Sequence, residues 1–415
     1  MIVRISPSNL KGTLCVPSSK SVAHRAFIAA ACSDAPTLIK GNLIGDDVNA
    51  TLVALVSLGA KARKTSDGLL ITPIGDNLVK TVKINAGASG STLRFILPLV
   101  ASLGVSATID GTKRLAERPI GELLDVLRKH GITADGDKLP LTVGGKLTGN
   151  QFTINASVSS QYVSGLLLAL PNINGGTVET VGNIVSKDYL DITLSVMRDF
   201  GIDVYERDGI FTADGAYKSP REYIVESDWS SAGFFIVAGA KGDITLNGLN
   251  INSTQGDKAI LNALKAFDAD ITADKVVRIK SNKLNAFTFD VNDCPDTAPA
   301  LAVLAAFSNG TSVLKNTERL KAKESDRAKE TVKMLTAFDI KCVDKGNEIE
   351  ITGGALHGCE IDLPDDHRIA MAAAIAASYA QGDTILHGAE CVNKSYPSFF
   401  EDLKRVGGKV NVLTV

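Results

Sequence analysis

Aromatic residues are scarce in this sequence, and neither sign of charge is in marked excess. Aromatic side chains make up 5% of the 415 residues, with a single tryptophan, and the formal net charge is −2. A surface that binds nucleic acid carries a basic face, and single strands also need aromatic rings on which bases stack. We therefore expect no nucleic-acid partner.

Long apolar segments are also absent. The longest apolar helix pattern, around MAAAIAASYA, is too short to cross a bilayer, which takes about 20 apolar residues. The opening residues, MIVRISPSNLKG, are typical of a strand and a turn, and they lack the apolar core of a signal peptide. We expect a cytoplasmic protein with no membrane partner.

The six cysteines and five histidines do not follow the spacing of a metal site. Neither a CxxC pair nor an HExxH motif occurs, and GASGST lacks the lysine of a phosphate-binding P-loop. In a chain of this length we expect the cysteines to be reduced, small and buried. We expect neither a metal ion nor an organic cofactor.

What the sequence does contain is one pattern repeated six times. Each copy starts with small polar residues, continues into a short apolar helix and ends at glycine or a turn, as in SSKSVAHRAFIAAACSD. A β-rich piece, a second, amphipathic helix and two further strands follow, so the unit is about βαβαββ. Equivalent places, roughly 70 residues apart, are held by Lys20, Ser91, Gln161, Ala232, Thr297 and His367.

Six such units predict an α/β protein, an α+β prism of two domains with three units in each. The first helix of each unit is apolar nearly all round, so these helices should be buried, parallel to one another, behind the sheets. The piece REYIVESD should close the third unit. The midpoint then lies near residue 226, and we expect a short hinge with a cleft between the domains.

The starts of the first helices are candidates for anion binding. A helix N-terminus offers free N–H groups and partial positive charge, and parallel helices bring these ends together. Ser21 and Arg25 share one helix face, Lys20 lies at the helix start, and Arg94 lies inside an apolar run. A solvated helix cap explains the first segment alone equally well. Taken together, the starts indicate a small ligand with several negative charges.

For the other charged segments, composition alone favours a structural role over ligand binding. LKAKESDRAKE is most often a solvated helix start whose ion pairs contribute little, and Asp365 and Asp366 are typical helix caps. In LAERPIGEL, Arg118 precedes Pro119, which is favoured at the first position of a helix. One acid and one base among these cations would suit proton transfer.

Nine segments, in order and spacing, closely resemble those of the EPSP synthases, a family of enolpyruvyl transferases. The segments are PSSKSVAHR, GASGSTLR, AERPIGEL, VSSQY, VSKDY, PDTAP, KAKESDR, DDHRIAMA and NKSYPSFF. The resemblance implies transfer of the carboxyvinyl group of phosphoenolpyruvate to the 5-hydroxyl of shikimate 3-phosphate. It also implies that residues 1–17 cross to the second domain, giving domains of 18–226 and of 1–17 with 227–415.

The resemblance further implies roles for individual residues. Asp296 would be the base on the 5-hydroxyl, and Glu324, with Lys20 nearby, would protonate the methylene carbon. Shikimate 3-phosphate would contact Lys20, Ser21, Arg25, Ser159, Ser160, Gln161, Ser186, Tyr189, Asp296 and Lys323. Phosphoenolpyruvate would contact Lys20, Gly90, Arg118, Gln161, Arg327, Arg368 and Lys394. Supporting residues would be Arg94, Ser91, Arg319 and His367.

Two positions depart from the family pattern. Ala88 stands where a polar residue is common, so a hydrogen bond near phosphoenolpyruvate is missing or made by water. Arg319 stands where some members have an asparagine that contacts shikimate phosphate, and the longer cation keeps that contact or loses it. Gly90 leaves room beside the phosphoenolpyruvate phosphate, which implies inhibition by glyphosate.

Two alternatives remain beside this interpretation, which otherwise predicts a monomer. A UDP-N-acetylglucosamine 1-carboxyvinyltransferase would share the fold and the donor, but it typically has a reactive cysteine near the position of Arg118, and GTKRLAERPIG contains none. An inactive small-anion binding protein would be favoured by the loss of Asp296 or Glu324, and both are present.

Overall fold

The computed structural model describes residues 1–265, 272–273, 276–279 and 283–414. The chain divides into two compact units. We call Ser18–Glu226 the N-terminal unit, and Met1–Pro17 together with Ser227–Val415 the C-terminal unit. The predicted hinge and cleft stay predictions.

The strands are short and are numbered along the chain. They are β1 (Ile2–Ser6), β2 (Lys11–Cys15), β3 (Thr37–Lys40), β4 (Lys61–Lys64), β5 (Leu69–Thr72), β6 (Thr81–Asn85), β7 (Ser106–Asp110), β8 (Ile132–Ala134), β9 (Leu141–Gly145), β10 (Gln151–Asn155), β11 (Gly176–Val181), β12 (Val204–Arg207), β13 (Ile210–Ala213), β14 (Glu222–Ile224), β15 (Asp243–Asn247), β16 (Thr272–Ala273), β17 (Val276–Ile279), β18 (Thr288–Asp290), β19 (Thr311–Lys315), β20 (Lys341–Asp344), β21 (Glu348–Thr352), β22 (Glu360–Asp362), β23 (Thr384–His387) and β24 (Lys409–Thr414).

The helices alternate with these strands. They are α1 (Lys20–Ala31), α2 (Asp46–Ser57), α3 (Gly90–Leu103), α4 (Lys113–Glu117), α5 (Gly121–Lys129), α6 (Ser160–Ala169), α7 (Lys187–Asp199), α8 (Trp229–Lys241), α9 (Ile260–Lys265), α10 (Ala298–Phe307), α11 (Arg327–Ala337), α12 (His367–Ser378) and α13 (Phe399–Arg405). Short 3₁₀ helices cover Gly75–Asn77, Leu170–Ile173, Gly256–Ala259, Pro295–Thr297, Glu318–Ala322 and Ala389–Lys394. Among the described residues, no helix combines the length and the hydropathy needed to cross a membrane.

Six four-stranded sheets with one common order form the described part of the chain. The N-terminal unit contains β14-β3-β5-β4, β6-β7-β9-β8 and β10-β11-β13-β12, and the C-terminal unit contains β2-β15-β17-β16, β18-β19-β21-β20 and β22-β23-β1-β24. In each sheet the first two strands are parallel and the later pairs are antiparallel. A parallel pair needs a crossover connection, and in four of the sheets (β6-β7, β10-β11, β18-β19 and β22-β23) the first helix of the repeat supplies it. The predicted α/β class and sixfold repeat are confirmed.

Two sheets borrow a strand from a distant part of the chain. β14 pairs in parallel with β3, with Tyr223 opposite Ile39, and β2 pairs in parallel with β15, with Leu14 opposite Leu246. The prediction that REYIVESD closes the third repeat is therefore wrong. β12 and β13 already complete that sheet, so the next strand pairs with the open edge of β3 instead.

The first helices of the repeats form the centre of each unit. α1, α3 and α6 pack against one another in the N-terminal unit, as do α8, α10 and α12 in the C-terminal unit. Every residue of α10 and α12 is buried, including the run Met371–Ala377. Helices that are apolar on all sides can be satisfied only in such a core, which agrees with the sequence.

The cysteines are only partly as predicted. All six are free, but Cys15 is exposed, Cys32, Cys342 and Cys359 are half-buried, and only Cys294 and Cys391 are buried. Cys15 ends β2, where Leu14 faces the core, and neighbouring side chains of a strand point to opposite faces. Burial of Leu14 therefore exposes Cys15.

Candidate functional site

The three central helices of the N-terminal unit each begin after a capping serine. The Oγ atoms of Ser19, Ser89 and Ser159 accept hydrogen bonds from backbone N–H groups in the first turns of α1, α3 and α6. Each cap satisfies one orphan donor of its helix. The serines are thus helix caps, but Ser19 and Arg25 are buried, so the interpretation of the first segment as a solvated cap is wrong. The polar residues that follow these serines are not needed for capping.

Arg25 is a buried cation on α1 with uncharged partners. Its Nε donates to Thr193 Oγ1 at 2.7 Å, Nη1 donates to the carbonyl of Ser21 at 2.7 Å, and Nη2 donates to the carbonyl of Tyr189 at 2.9 Å. The guanidinium also lies 4.8 Å from the centre of the Phe95 ring. Burial lowers the pKa of Arg25 to about 9, so it stays charged at neutral pH. A buried cation hydrogen-bonded to neutral oxygens favours a nearby anion.

Lys20, the first residue of α1, is held by an acid from the next helix. Its Nζ lies 2.8 Å from Asp47 Oδ2, and the two side chains are 15% and 9% exposed. Asp47 belongs to the first turn of α2, where an acid is favoured by the helix dipole. The pair fixes the ammonium group at the start of α1.

The starts of α3 and α6 are joined by side-chain hydrogen bonds. Arg94 Nη1 donates to Gln161 Oε1 at 3.0 Å, and Gln161 Nε2 donates to Ser91 Oγ at 2.9 Å. Gly90 has no side chain between these groups: a Cβ there would lie 2.6 Å from Nη1 of Arg94 and 2.7 Å from Nη1 of Arg118. Two guanidinium groups therefore meet at the first residue of α3.

The loop that carries Arg118 is held in place by two hydrogen bonds to one carbonyl group. The carbonyl oxygen of Pro119 accepts from Arg94 Nη2 at 3.2 Å and from the hydroxyl of Tyr162 at 2.6 Å. α5 begins only at Gly121, so the prediction that Pro119 is the first helical residue is wrong. Its carbonyl is used for tertiary bonds to α3 and α6 instead of for a helix.

The start of α7 adds a fourth polar segment to the N-terminal unit. Ser186 is buried and has a left-handed φ of 50°, a conformation that costs a non-glycine residue about 1–3 kcal/mol. The carbonyl of Tyr189, one turn later, accepts from Arg25. α7 therefore places the backbone of Tyr189 beside the guanidinium of Arg25, one turn after Ser186.

In the C-terminal unit, Arg327 is enclosed by three carboxylates. Its side chain is fully buried, with Nε 2.8 Å from Asp366 Oδ2, Nη2 2.5 Å from Glu324 Oε2 and Nη1 2.7 Å from Asp296 Oδ1. Burial alone would lower the pKa of Arg327, but Asp366, Glu324 and Asp296 together raise it well above its ordinary value. The interpretation of KAKESDR as a solvated helix start is wrong for this arginine.

Asp296 lies in the 3₁₀ turn Pro295–Thr297 and is contacted by three cations. Besides Arg327, Arg368 Nη2 lies 2.8 Å from its Oδ2 and Lys323 Nζ lies 3.3 Å from its Oδ1. Burial lowers the pKa of Lys323, and the neighbouring Asp296 opposes that shift. The carboxylate is thus held by ion pairs and does not cap a helix.

The remaining predicted residues of this unit surround that cluster. Lys394 Nζ forms an ion pair of 2.7 Å with Asp365 Oδ2, and Arg319 Nη1 donates to the carbonyl of Asn292 at 3.1 Å. His367 is 1% exposed and begins α12. Asp366 caps the same helix by accepting from the N–H of Arg368, as predicted. The same prediction is wrong for Asp365, whose carboxylate pairs with Lys394 and is not the cap.

One further acid lies near Asp296 and is influenced by its charge. Asp257 is buried in the 3₁₀ helix Gly256–Ala259, which packs against the turn of Asp296, and it accepts a hydrogen bond from Ser230 Oγ. Burial, and then the charge of Asp296, raises the pKa of Asp257 to about 7, while Arg368 opposes the shift.

Comparison with known proteins decides the family. A family model for EPSP synthase (3-phosphoshikimate 1-carboxyvinyltransferase) matches residues 5–403. The chain belongs to the EPSP synthase family. It is 37% identical to the 3-phosphoshikimate 1-carboxyvinyltransferase of Clostridium kluyveri, over 100% of this chain and 99% of the relative. It is 38% identical to that of Thermococcus kodakarensis, over 98% of this chain and 100% of the relative.

A solved EPSP synthase structure agrees with the sequence matches. The enzyme of Acinetobacter baumannii aligns with a TM-score of 0.83 at 28% identity, covering 99% of this chain and 100% of that one. The predicted family, fold class and 3-phosphoshikimate 1-carboxyvinyltransferase activity are confirmed. Membership implies phosphoenolpyruvate and shikimate 3-phosphate as the substrates of this transferase of the shikimate pathway.

Within each unit of this EPSP synthase family member, the predicted residues lie near one another, while their individual roles stay predictions. The N-terminal unit gathers them at the starts of α1, α3, α6 and α7, and the C-terminal unit gathers them around Asp296 and Arg327. Sequence reasoning missed Asp47 and the ion pair of Asp366. The only signal for either was an acid pair at a helix start, in GDDV and PDDH.

Loss of Arg327 should destabilise the C-terminal unit. In Arg327→Met, the fully buried Asp366 loses its cation, which costs about 3–5 kcal/mol for a broken buried pair. Lys329→Met, an exposed change in the same helix, should cost less than about 0.5 kcal/mol. Urea unfolding followed by Trp229 fluorescence measures this, because the single tryptophan is buried in that unit. Equal unfolding free energies for the two variants would contradict the assignment.

Proposed function

We propose that the residues gathered in the two units serve one reaction, the transfer of the carboxyvinyl group of phosphoenolpyruvate to the 5-hydroxyl of shikimate 3-phosphate with release of phosphate. The observation that carries this proposal is the cluster in which Asp296 and Glu324 both bond the buried guanidinium of Arg327. A base, an acid and a cation in contact provide what addition to an enol phosphate needs. We retain the predicted cytoplasmic location and monomeric state within the proposal.

Shikimate 3-phosphate is assigned mainly to residues of the N-terminal unit. Arg25 supplies a buried positive charge whose hydrogen bonds go only to uncharged oxygens. Ser159 Oγ accepts from the N–H of Gln161, so its own proton remains to be donated to a phosphate oxygen. Ser160 and Ser186 add hydroxyls at the starts of α6 and α7. Helix starts with hydroxyls are suited to bind phosphate.

Phosphoenolpyruvate is assigned to guanidinium and ammonium groups. Arg118 meets the start of α3 at Gly90, a position where only hydrogen separates the backbone from the cation. Arg327, Arg368 and Lys394 supply positive charge in the C-terminal unit. Each substrate carries about two to three negative charges, and cations preorganised around them offset their repulsion.

Binding of phosphoenolpyruvate also prepares the acid and the base. Before it binds, Asp296 is neutralised by Arg327, Arg368 and Lys323, and a carboxylate so held is a weak base. When Arg327 and Arg368 bind the anionic substrate, they no longer neutralise Asp296. Asp296 then becomes more basic and can accept the proton of the 5-hydroxyl. Glu324, released from the same guanidinium, then takes a proton from water and gives it to the methylene carbon while the 5-oxygen bonds to the adjacent carbon. The tetrahedral intermediate loses phosphate and one methyl proton, which restores the carboxyvinyl group.

The choice of acceptor tests the function directly. Purified chain should release phosphate from phosphoenolpyruvate with shikimate 3-phosphate and not with UDP-N-acetylglucosamine. Phosphate release with the nucleotide sugar alone would establish the related transferase instead. Binding of both anions without phosphate release in either assay would establish an inactive anion-binding protein.

Neutral isosteres of the two acids should slow turnover. Asp296→Asn and Glu324→Gln should each lower kcat about 100- to 10,000-fold, the range for one general acid or base. Asp293→Asn and Glu330→Gln are matched controls, because Asp293 is exposed and, in the part of the chain that the structure describes, the ion pairs of the cluster include neither residue. Near-normal turnover in both test variants, in a phosphate-release assay, would rule out these roles.

A methyl group at position 90 should crowd the phosphoenolpyruvate site. In Gly90→Ala the Cβ forces both guanidinium groups to move by several tenths of an ångström or more, since it would lie 2.6–2.7 Å from their Nη1 atoms. We expect a higher KM for phosphoenolpyruvate and weaker inhibition by glyphosate. Gly121→Ala is the control, because nothing lies within 4 Å of its Cβ position. Unchanged inhibition in Gly90→Ala would place the inhibitor elsewhere.

A further inference from the structure

A buried chain of four side chains connects α1, α2 and α3 behind the helix starts of the N-terminal unit. His24 Nδ1 lies 2.7 Å from Thr51 Oγ1, which lies 2.7 Å from Thr92 Oγ1, which lies 2.8 Å from Ser89 Oγ. All four residues are 0% exposed. Buried polar chains of this kind are stabilising only when each proton has an acceptor.

The geometry fixes the direction of the protons. Thr92 Oγ1 donates to Ser89 Oγ at 2.8 Å and, over a longer distance of 3.4 Å, to the carbonyl oxygen of Asp47. A hydroxyl has one proton, and these two acceptors share it, so Thr92 must accept from Thr51. Thr51 therefore donates its only proton to Thr92, and its oxygen must accept a hydrogen bond from His24. His24 Nδ1 therefore carries the hydrogen, and Nε2, which has no hydrogen-bond partner among the described residues, carries only a lone pair.

The imidazole has no second proton to give. Burial, together with the charges of Lys20 and Arg25, lowers the pKa of His24 well below its ordinary value. The ring is thus neutral throughout the physiological range, and its single proton is the one that enters the chain. The direction of the hydrogen bonds does not change with pH under working conditions.

Residues of the chain lie next to groups assigned to substrate. Ser89 is the cap of α3 and precedes Gly90, where Arg94 and Arg118 meet. Thr92 Oγ1 also lies 3.4 Å from the carbonyl oxygen of Asp47, whose carboxylate holds Lys20. His24 itself lies on α1, one position before Arg25. The chain therefore ties three helices together at the residues next to the cations.

We propose that His24 is a positioning residue for the phosphoenolpyruvate site: as the Nδ1–H donor, it sets the direction of the Thr51–Thr92–Ser89 chain and so fixes the start of α3 relative to α1 and α2. The assignment of that site to phosphoenolpyruvate rests on the function proposed above. A misdirected chain would leave Ser89 without the Thr92 proton, and the cap beside Gly90 would be free to shift.

Three variants separate this role from general stabilisation. His24→Leu removes the donor, Thr51→Val breaks the chain while keeping the side-chain shape, and His24→Asn returns an N–H donor near Nδ1. The matched control is Thr37→Val, which removes another fully buried hydroxyl of the same unit, one that lies 2.7 Å from Ser219 Oγ. Its hydrogen bond is at the start of β3 and touches none of the helix starts.

The kinetic expectation is a selective effect on one substrate. His24→Leu and Thr51→Val should raise the KM for phosphoenolpyruvate about tenfold, as loss of one buried hydrogen bond allows, with the KM for shikimate 3-phosphate changed less than about twofold. His24→Asn should restore the KM, and Thr37→Val should lower the melting temperature without changing either KM. The double variant His24→Leu/Thr51→Val should have no higher a KM for phosphoenolpyruvate than Thr51→Val alone, because both changes interrupt one chain.

The tautomer gives a readout that is independent of activity. Proton–nitrogen NMR of the full chain should show His24 with hydrogen on Nδ1 and none on Nε2, the signal being assigned by its absence in His24→Asn. Hydrogen on Nε2, equal KM increases for both substrates, or additive effects in the double variant would each overturn the proposal. A wild-type chain with the Nδ1–H tautomer but no turnover would contradict the proposed function and leave the chain geometry intact.

Discussion

Each unit depends on three apolar helices that can be buried only against one another. α1, α3 and α6 do this in the N-terminal unit, and α8, α10 and α12 do it in the C-terminal unit. Since apolar surface on every side leaves no face for water, the sheets must lie outside and the polar residues must collect at the helix ends. The bonds of Gln161 with Arg94 and Ser91 join two of those ends directly. The chemistry is thus gathered by packing, before any substrate is considered.

The buried arginines of the two clusters have different kinds of hydrogen-bond partner. Arg25 is buried with uncharged partners, whereas Arg327 is buried with three carboxylates. A buried cation of the first kind offers its charge to an incoming anion at once. A buried cation that is paired with carboxylates must first leave them to bind the incoming anion. Its departure makes those carboxylates more basic. An enzyme that must hold one phosphate firmly and move protons beside another anion has use for both arrangements.

Much of the fold and of the candidate site could be read from local patterns. The sixfold repeat, the buried helices and the segments around Lys20, Gly90, Asp296 and Arg368 are contiguous in sequence, so propensity and motif spacing reveal them. The ion pair of Lys20 with Asp47 and that of Arg327 with Asp366 could not be read, because each joins residues 27 or 39 positions apart on different helices.

The borrowed strands and the exposure of single residues could not be predicted from the sequence for a related reason. The edge to which β14 adds is formed almost 200 residues earlier, since Glu222 lies opposite Leu38. No local pattern distinguishes a strand that closes its own sheet from one that joins another. Likewise, Cys15 is exposed because of which face of β2 meets the core, and Pro119 lies outside α5 because its carbonyl serves α3 and α6. Tertiary bonds decided each of these cases.

The place of β1 has a consequence for synthesis of the chain on the ribosome. β1 lies between β23 and β24, with Ile2 opposite both His387 and Thr414, so β1 cannot complete its pairing until β24 has left the exit tunnel. The N-terminal unit, whose strands all come from residues 18–226, can close before the later residues are made, whereas the C-terminal unit cannot be complete until β24 has been made. A circular permutant opened between residues 226 and 227, with the old termini linked, would make both units contiguous and end that delay.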